Sequence, residues 1–591
     1  MTKARSDAKR WRQATPGSED VLHLKRFLLV PAALPALLAC PAWAANWDIV
    51  PTLPIGETYT DSVPLTPDAL NGGRKWSINP TLSVIETYTD NVSLAPDAFK
   101  QSDWLTQVTP GISISATGAR LKFIATYSPE LLYSARGPNY NQVFQIGKVV
   151  GSAELAKSLL FVDAGANVNQ YNVSLQGPLT TSNTNTTGNR STVRTLFESP
   201  YLRHEFGSDV KAEARFTNSV VNSDDPVKLP NSVADRIDLK LTSGPGYKLL
   251  VWKVDYVRET INYDNAQDVF TETITANARR LITPTVGLLA KVGYDYYQSG
   301  VAPALEGPSW SAGFDWRPTP RTTLAATAGR QFSGNAYSLD IKHRTRLTTW
   351  SAGYSQNVTT TRSEFFIPAT TSTAGFLNTL FLSQFPDPVA RQKAVEEFTA
   401  RTGLPPSLSA PINFFSSQLF LVKRWQASAG ILGIRNVVLA TVFKQTSEVL
   451  AGNLALPNTG DFATSNTITQ TGMSIQWNLR LTAQNAWNLG GAYSRNEFPG
   501  INRIDNLTSV GMGLTRQFQP RLSGSLNYRR LHNDSNVSLA SYTENAVFAT
   551  LQMKFGYSGK PLSNTGVPGS VNPVGNAGVP GSVNPSPLGK P

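Results

Sequence analysis

The stretch WSAGFDW, Trp310–Trp316, places an apolar side chain at every second position and Ser, Gly or Asp between them. A period of two residues is typical of a β-strand, whose side chains point alternately to opposite faces of the sheet. The same alternation runs through residues 210–217, 286–296 and 522–529. The sequence therefore predicts a chain of strands with one apolar and one polar face.

The alternating runs are long, commonly about ten to sixteen residues, whereas strands of soluble proteins usually have about five or six. A tilted strand that crosses a bilayer needs about 9–11 residues. Because every backbone polar group in lipid must be paired, such a sheet has to close into a barrel with an apolar outside and a polar lumen. A soluble propeller fits less well, since its strands are shorter and no repeat of blade length is present.

Connection lengths support the same interpretation. Tight turns such as Gly207-Ser208-Asp209 alternate with longer polar loops, as in outer-membrane barrels. We count about 22 strands, ending with Tyr542–Tyr557, and an even number places both chain ends in the periplasm. The predicted fold class is all-β: a transmembrane antiparallel up-and-down β-barrel of about 22 strands (range 16–22) with one helix-containing long extracellular loop.

Composition excludes several classes of protein. Only 16% of the 591 residues are charged and 40% are hydrophobic, yet no stretch after the leader reaches the roughly 18 apolar residues of a spanning helix. Lys and Arg form no cluster with interleaved aromatic residues, so we expect no nucleic-acid partner.

The first 44 residues resemble a secretory signal peptide with an extended basic start. Lys25 and Arg26 precede an apolar run, and Ala42-Trp43-Ala44 suits a signal peptidase, so we expect cleavage near Ala44. Cys40 is the single cysteine, and Leu37–Cys40 is only a weak lipoprotein signal. Loss of the leader removes seven Lys/Arg and three Asp/Glu and lowers the net charge from +12 to +8.

The remaining chain divides into a periplasmic segment (45–75), the barrel (76–557) and a Gly/Pro/Ser/Asn tail (558–591) that we expect to be disordered. The periplasmic segment contains PTLPIGETYTDSVPLTPDAL, a degraded copy of the first strand, PTLSVIETYTDNVSLAPDAF. Pro54 and Gly56 weaken the copy as a strand. We expect it in the periplasm or in the barrel mouth.

Residues 362–414 form the longest loop and predict a helix. Asp387 suits the N-cap, Pro388 the first turn and Gly403 the position after the last turn, while Lys393 and Glu397 can pair. The apolar residues before this helix must pack on something. They either fold into the lumen as a constriction or cover the outer rim, and long structured loops are usually functional.

The polar faces of the strands give the candidate functional residues. No catalytic, cofactor-binding or metal-ligating residues are predicted, and no cofactor. The predicted lumen-lining residues are Lys211, Glu213, Arg215, Lys253, Asp255, Lys291, Asp295, Asp315 and Arg317. Ordinary solvation of the lumen explains such mixed charges, and a weak preference for anionic or neutral polymers is the functional alternative.

Four segments together resemble the PEP-CTERM-system-associated outer-membrane β-barrel proteins. They are ETYTDN (Glu86–Asn91), HRTRLTTWSAGYSQNVTTTR (His343–Arg362), DPVARQKAVEEFTARTGLP (Asp387–Pro405) and FLVKRWQASAGILGIRN (Phe420–Asn436). The resemblance covers about residues 76–557. It implies an outer-membrane role in exopolysaccharide production, polymer export and PEP-CTERM protein sorting. The duplicated first strand is not expected from this family, and no catalytic residues carry over.

Three functions remain open. The first is a conduit, whose partners would be outer-membrane lipid, the barrel-assembly machinery, polysaccharide and periplasmic export components. The second is a structural or surface-display barrel with a sealed lumen. The third, an outer-membrane hydrolase, is disfavoured because His204, His343 and His532 have no partner pattern. An energised receptor is also disfavoured, because only about 30 residues precede the first strand.

Overall fold

The computed structural model describes residues 75–555, except 119, 138–139, 301–302, 367–372, 383–390, 392–393, 396–397, 399–413 and 451–459. The predicted signal peptide, the duplicated segment and the tail lie outside the described residues. One antiparallel sheet closes on itself because the first strand pairs with both the second strand and the last. The predicted 22-stranded barrel is confirmed.

Most strands have 12–17 residues, as predicted for a tilted transmembrane barrel. Two of them, β3 and β4, are each interrupted by a short break. In chain order the strands are β1 Lys75–Thr89, β2 Asp103–Thr117, β3 Leu121–Tyr127 with Glu130–Ser134, β4 Gln142–Phe144 with Gly147–Ala156, β5 Leu160–Asn172, β6 Arg190–Phe206, β7 Val210–Ser223, β8 Ser232–Ser243, β9 Leu250–Tyr263, β10 Val269–Thr283, β11 Val286–Ser299, β12 Leu305–Thr319, β13 Thr322–Gln331, β14 Gly334–Arg344, β15 Thr348–Thr360, β16 Leu419–Leu432, β17 Asn436–Val449, β18 Thr467–Arg480, β19 Asn485–Phe498, β20 Arg503–Gln519, β21 Leu522–Ser535 and β22 Tyr542–Lys554.

The last strand ends three residues before the predicted end at Tyr557. The described residues between β15 and β16 include two short helices, α1 Thr361–Glu364 and α2 Thr373–Phe381. Arg391, Ala394, Val395 and Phe398 are also helical. They fall inside the predicted helix, whose proposed caps and Lys393–Glu397 pair lie outside the described residues. Helix α2 was not predicted from the sequence.

The first strand follows the predicted alternation. Thr87 and Thr89 point inward and are buried, whereas Tyr88 points outward and its ring lies 5.1 Å from that of Trp104. Glu86 is on the outer face near the rim and accepts hydrogen bonds from the Thr106 hydroxyl at 2.9 and 3.0 Å. The ladder to β2 has no register shift, so the strand carries no bulge at Glu86.

The outer face of the barrel carries exposed apolar and aromatic side chains. On β12, Trp310, Phe314 and Trp316 are 54%, 42% and 45% exposed, and their neighbours in sequence face the lumen. A water-exposed belt of this size is unfavourable, but lipid would cover it. No helix in the described part of the chain is long and apolar enough to cross a membrane.

A charge on this belt should be costly. Val292, at mid-height on β11, is 59% exposed and pairs with Trp310. We expect V292R to lower the free energy of unfolding in lipid vesicles by about 2–4 kcal/mol, because the arginine would face hydrocarbon. The matched variant S338R adds the same side chain to the lumen face and should cost less than about 1 kcal/mol. Equal losses in urea titrations would contradict the assignment of the two faces.

Candidate functional site

The candidate site is the lumen, and the described parts of residues 361–418, here called the insertion, fold into it. Near the periplasmic end of β16, a Cβ added to Gly430 would lie 2.6 Å from the Phe376 ring of α2. Leu377 and Phe381 of α2 also belong to a buried cluster with wall residues. The wall residues of that cluster are Leu432, Val437 and Leu439. The insertion therefore starts at the outer end of the barrel and reaches the wall beside the periplasmic turn 433–435.

A buried arginine holds the start of the insertion against the opposite wall. The side chain of Arg362 is 1% exposed. Its Nη2 donates to the carbonyl oxygen and the Oγ of Ser219, both at 2.8 Å, and its Nε donates to Ser232 Oγ at 2.9 Å. Burial lowers the pKa of the guanidinium, and Glu259, 3.9 Å away, opposes that change. Because a buried charge without partners is costly, Arg362 fixes the insertion to β7 and β8.

Aromatic rings pack together where the two ends of the insertion meet, at Phe365 and Phe415, and we call this part the neck. The Phe365 ring lies 5.0 Å from Tyr171 on β5 and 6.0 Å from Phe415, measured between ring centroids. The backbone N–H of Phe415 donates to the Val173 carbonyl at 3.0 Å. The two ends of the insertion therefore meet inside the lumen.

A second loop, residues 173–189, crosses the lumen from β5 and β6, and we call it the strap. At one crossing, Asp461 accepts hydrogen bonds from Ser174 Oγ and from the Leu175 N–H, the latter at 2.6 Å. Arg503 on β20 donates to the Gln176 carbonyl at 2.6 Å. Burial raises the pKa of the Asp461 carboxyl, while the hydrogen bonds from Ser174 and Leu175 oppose the rise. The strap is thus bound to the far side of the barrel.

A buried carboxylate anchors the tip of the strap. Glu544 on β22 is fully buried and pairs with Arg529 on β21 at 2.9 Å. The same carboxylate accepts hydrogen bonds from Asn185 of the strap at 2.6 Å and from Thr89 of β1 at 2.9 Å. Tyr542 supports this anchor, since its hydroxyl accepts from the Leu179 N–H at 3.0 Å. The anchor therefore joins the strap to the seam where the barrel closes.

The barrel wall is also pinched at its outer end. Leu419, the first residue of β16, packs with Ile261 and Tyr263 of β9 in a buried cluster. These strands are seven apart in the sheet, so the two walls meet across the lumen. The described contacts of the strap, the insertion and the pinch are mostly with strands between β16 and β22 and between β1 and β9.

The predicted lumen residues lie on the inner face of their strands, and most of them are in ion pairs. The pairs are Lys211–Glu205 (2.6 Å), Arg203–Glu213 (2.7 Å), Arg215–Asp163 (2.8 Å), Lys253–Asp255 (2.9 Å), Arg279–Asp315 (2.6 Å) and Arg317–Asp315 (3.4 Å). Lys291 and Asp295 share the inner face of β11. The partners Glu205, Arg203, Asp163 and Arg279 were not predicted. Pairing neutralises this wall, which favours structural cross-strand bonding over charge selection.

In one sector of the lumen, the described residues form no buried apolar cluster against the wall. The inner faces of β12–β14 carry small side chains, namely Ser311, Gly313, Thr327, Gly329, Ala336 and Ser338. In this sector the side chains of Asp340 and Lys342 are 54% and 63% exposed. None of the clusters of buried apolar residues in the described chain includes a residue of these three strands. We call this part of the lumen the open sector.

The three histidines of the described strands do not form a site together. His204 stacks edge-on against Phe206 on the outer face, His343 bonds to Thr322, and His532 bonds to Thr543. They lie on β6, β14 and β21. In the described ranges no group of His, Cys, Asp or Glu could hold a metal ion.

The outer apolar belt, the closed sheet and the polar lumen together define an outer-membrane β-barrel protein. Residues 458–555, which contain the last five strands, match the family model "Putative beta-barrel porin 2". No curated protein matches the chain.

Several solved barrels are similar in fold. The ferric-catecholate import receptor Fiu from E. coli K12 is 10% identical, with a TM-score of 0.44, and the match covers 81% of each chain. The siderophore receptor PirA from Acinetobacter baumannii is 8% identical, with a TM-score of 0.42, covering 81% of this chain and 80% of that one.

Proposed function

We propose that this chain is an outer-membrane conduit that carries its own plug and serves exopolysaccharide export and PEP-CTERM protein sorting. One observation carries the conduit: the strap and the described parts of the insertion pack on one side of the lumen, and the open sector is lined by small side chains. A barrel of about 22 strands is wide enough to need such a plug. The polymer and sorting roles rest on the sequence resemblance alone.

The partners follow from this role. Outer-membrane lipid surrounds the apolar belt, and the barrel-assembly machinery inserts the chain after cleavage near Ala44. Polysaccharide enters from the periplasm, delivered by export components, and passes along the open sector. The hydroxyl groups of this sector can form hydrogen bonds with a polymer. Its glycine residues have no side chains and therefore do not narrow the path.

Conductance in planar bilayers tests the conduit. The purified mature protein should show discrete ion channels, and S338R should reduce the single-channel conductance by about half, because arginine occupies much of a narrow polar passage. The control V292R changes the outer face, so any channels it forms should conduct normally. A mutant strain that lacks the protein should release less polysaccharide into the medium.

The alternative is a barrel with a permanently sealed lumen, which the pinch at Leu419 favours. It predicts no channels from the wild-type protein and none after the plug is removed. Those two measurements together separate the sealed barrel from a conduit that is closed at rest.

A further inference from the structure

The turns at the periplasmic end carry an unusual excess of positive charge. Ten turns join strands at this end, where β1 starts and β22 ends. Seven of them contain one basic residue, and only the turn 207–209 contains an acidic one, Asp209. The seven residues, here called the basic crown, are Arg120, Lys157, Lys248, Arg321, Arg346, Arg435 and Arg521.

The crown is available to a partner. All seven side chains are exposed, and none forms an ion pair with a described residue. The turns have two to six residues, so each charge lies close to the end of a strand. On the neighbouring outer face, Trp316 and Trp350 are 45% and 49% exposed, as expected for side chains at a membrane interface.

The opposite end of the barrel has the reverse balance. The loop 224–231 contains Asp224 and Asp225 against one lysine, the loop 264–268 contains Asp264 and Asp268, and the strap has no charged residue. The positive charge of the mature chain is therefore concentrated at one membrane surface. Solvation alone does not require such a separation, whereas an anionic surface at one end would favour it.

We propose that the basic crown binds anionic phospholipid head groups in the periplasmic leaflet of the outer membrane. Neighbouring turns at this end are two strands apart, about 10 Å, and a charge is screened beyond about 8 Å at physiological salt. Each basic residue can therefore hold its own head group. Long Lys and Arg side chains place their charge at head-group level while their stems cover apolar surface.

Lipid selectivity measures this binding. The mature protein is reconstituted in phosphatidylcholine vesicles with traces of spin-labelled phosphatidylglycerol or phosphatidylcholine, and the immobilised fraction of each label is compared. We expect a preference for phosphatidylglycerol of about threefold in the wild type. R321Q/R346Q/R435Q should reduce it in part, and replacement of all seven crown residues by Gln should bring it to about one. The matched control K100Q/R136Q/K228Q changes three basic residues in outer loops and should keep the wild-type preference.

Three results would overturn the proposal. One is a wild type without preference, and another is an equal loss in the outer-loop control. The third is saturable binding of a soluble polyanion such as alginate to the detergent-purified barrel that disappears in the crown variant, because the crown would then be a polymer site. Heat-modified mobility on gels confirms that each variant is folded before its lipids are compared.

Discussion

Removal of residues 367–413 is expected to raise the single-channel conductance about fivefold, because the insertion occupies one side of a lumen that a barrel of this size leaves wide. The ends of the cut are already close, since the Phe365 and Phe415 rings lie 6.0 Å apart. A short Gly-Ser linker from Phe366 to Phe414 therefore keeps the neck and its Arg362 anchor. Planar-bilayer recordings of the folded variant give the measurement.

A substitution inside the insertion provides the control. S363A leaves α2 and the Arg362 anchor in place and should conduct like the wild type. If the deletion variant migrates as a folded barrel and its conductance is unchanged, the insertion is not the obstruction. Loss of folding in that variant would instead show that α2 supports the wall near Gly430.

Loss of Arg529 is expected to be the most damaging single substitution at the strap. R529M leaves Glu544 fully buried without its cation, which should lower the free energy of unfolding by about 3–5 kcal/mol. The double variant R529M/E544L removes both charges and should recover most of this loss, because an apolar pair avoids the cost of a buried unpaired carboxylate. Urea titrations in lipid vesicles, followed by tryptophan fluorescence, measure both.

The exposed pair Arg194–Asp224 is the control for the Arg529 and Glu544 variants. Its side chains are 50% and 48% exposed, so R194M should cost less than about 1 kcal/mol. If R529M costs no more than R194M, Glu544 is solvated in the folded protein and the strap is not anchored there. If the double variant is as unstable as R529M, the loss of the hydrogen bonds from Asn185 and Thr89 dominates instead.

The face of each strand could be predicted because alternation is a local property. Trp310 is apolar and its neighbour Ser311 is polar. In any closed barrel, one of these side chains faces lipid and the other faces the aqueous lumen. The contacts of the candidate site could not be predicted from the sequence. Asp461 and Ser174 are 287 positions apart in sequence, and nothing near either of them indicates the hydrogen bond that they form.

The sequence by itself determined that the chain forms a closed, lipid-facing barrel, because the length of a strand and the alternation of its side chains are properties of each strand alone. Only the tertiary structure decided where the long loops go. Whether the insertion covers the rim or enters the lumen depends on contacts such as Arg362 with Ser219 and Phe376 with Gly430. Those contacts exist only once 22 strands have brought distant residues to opposite sides of one cavity.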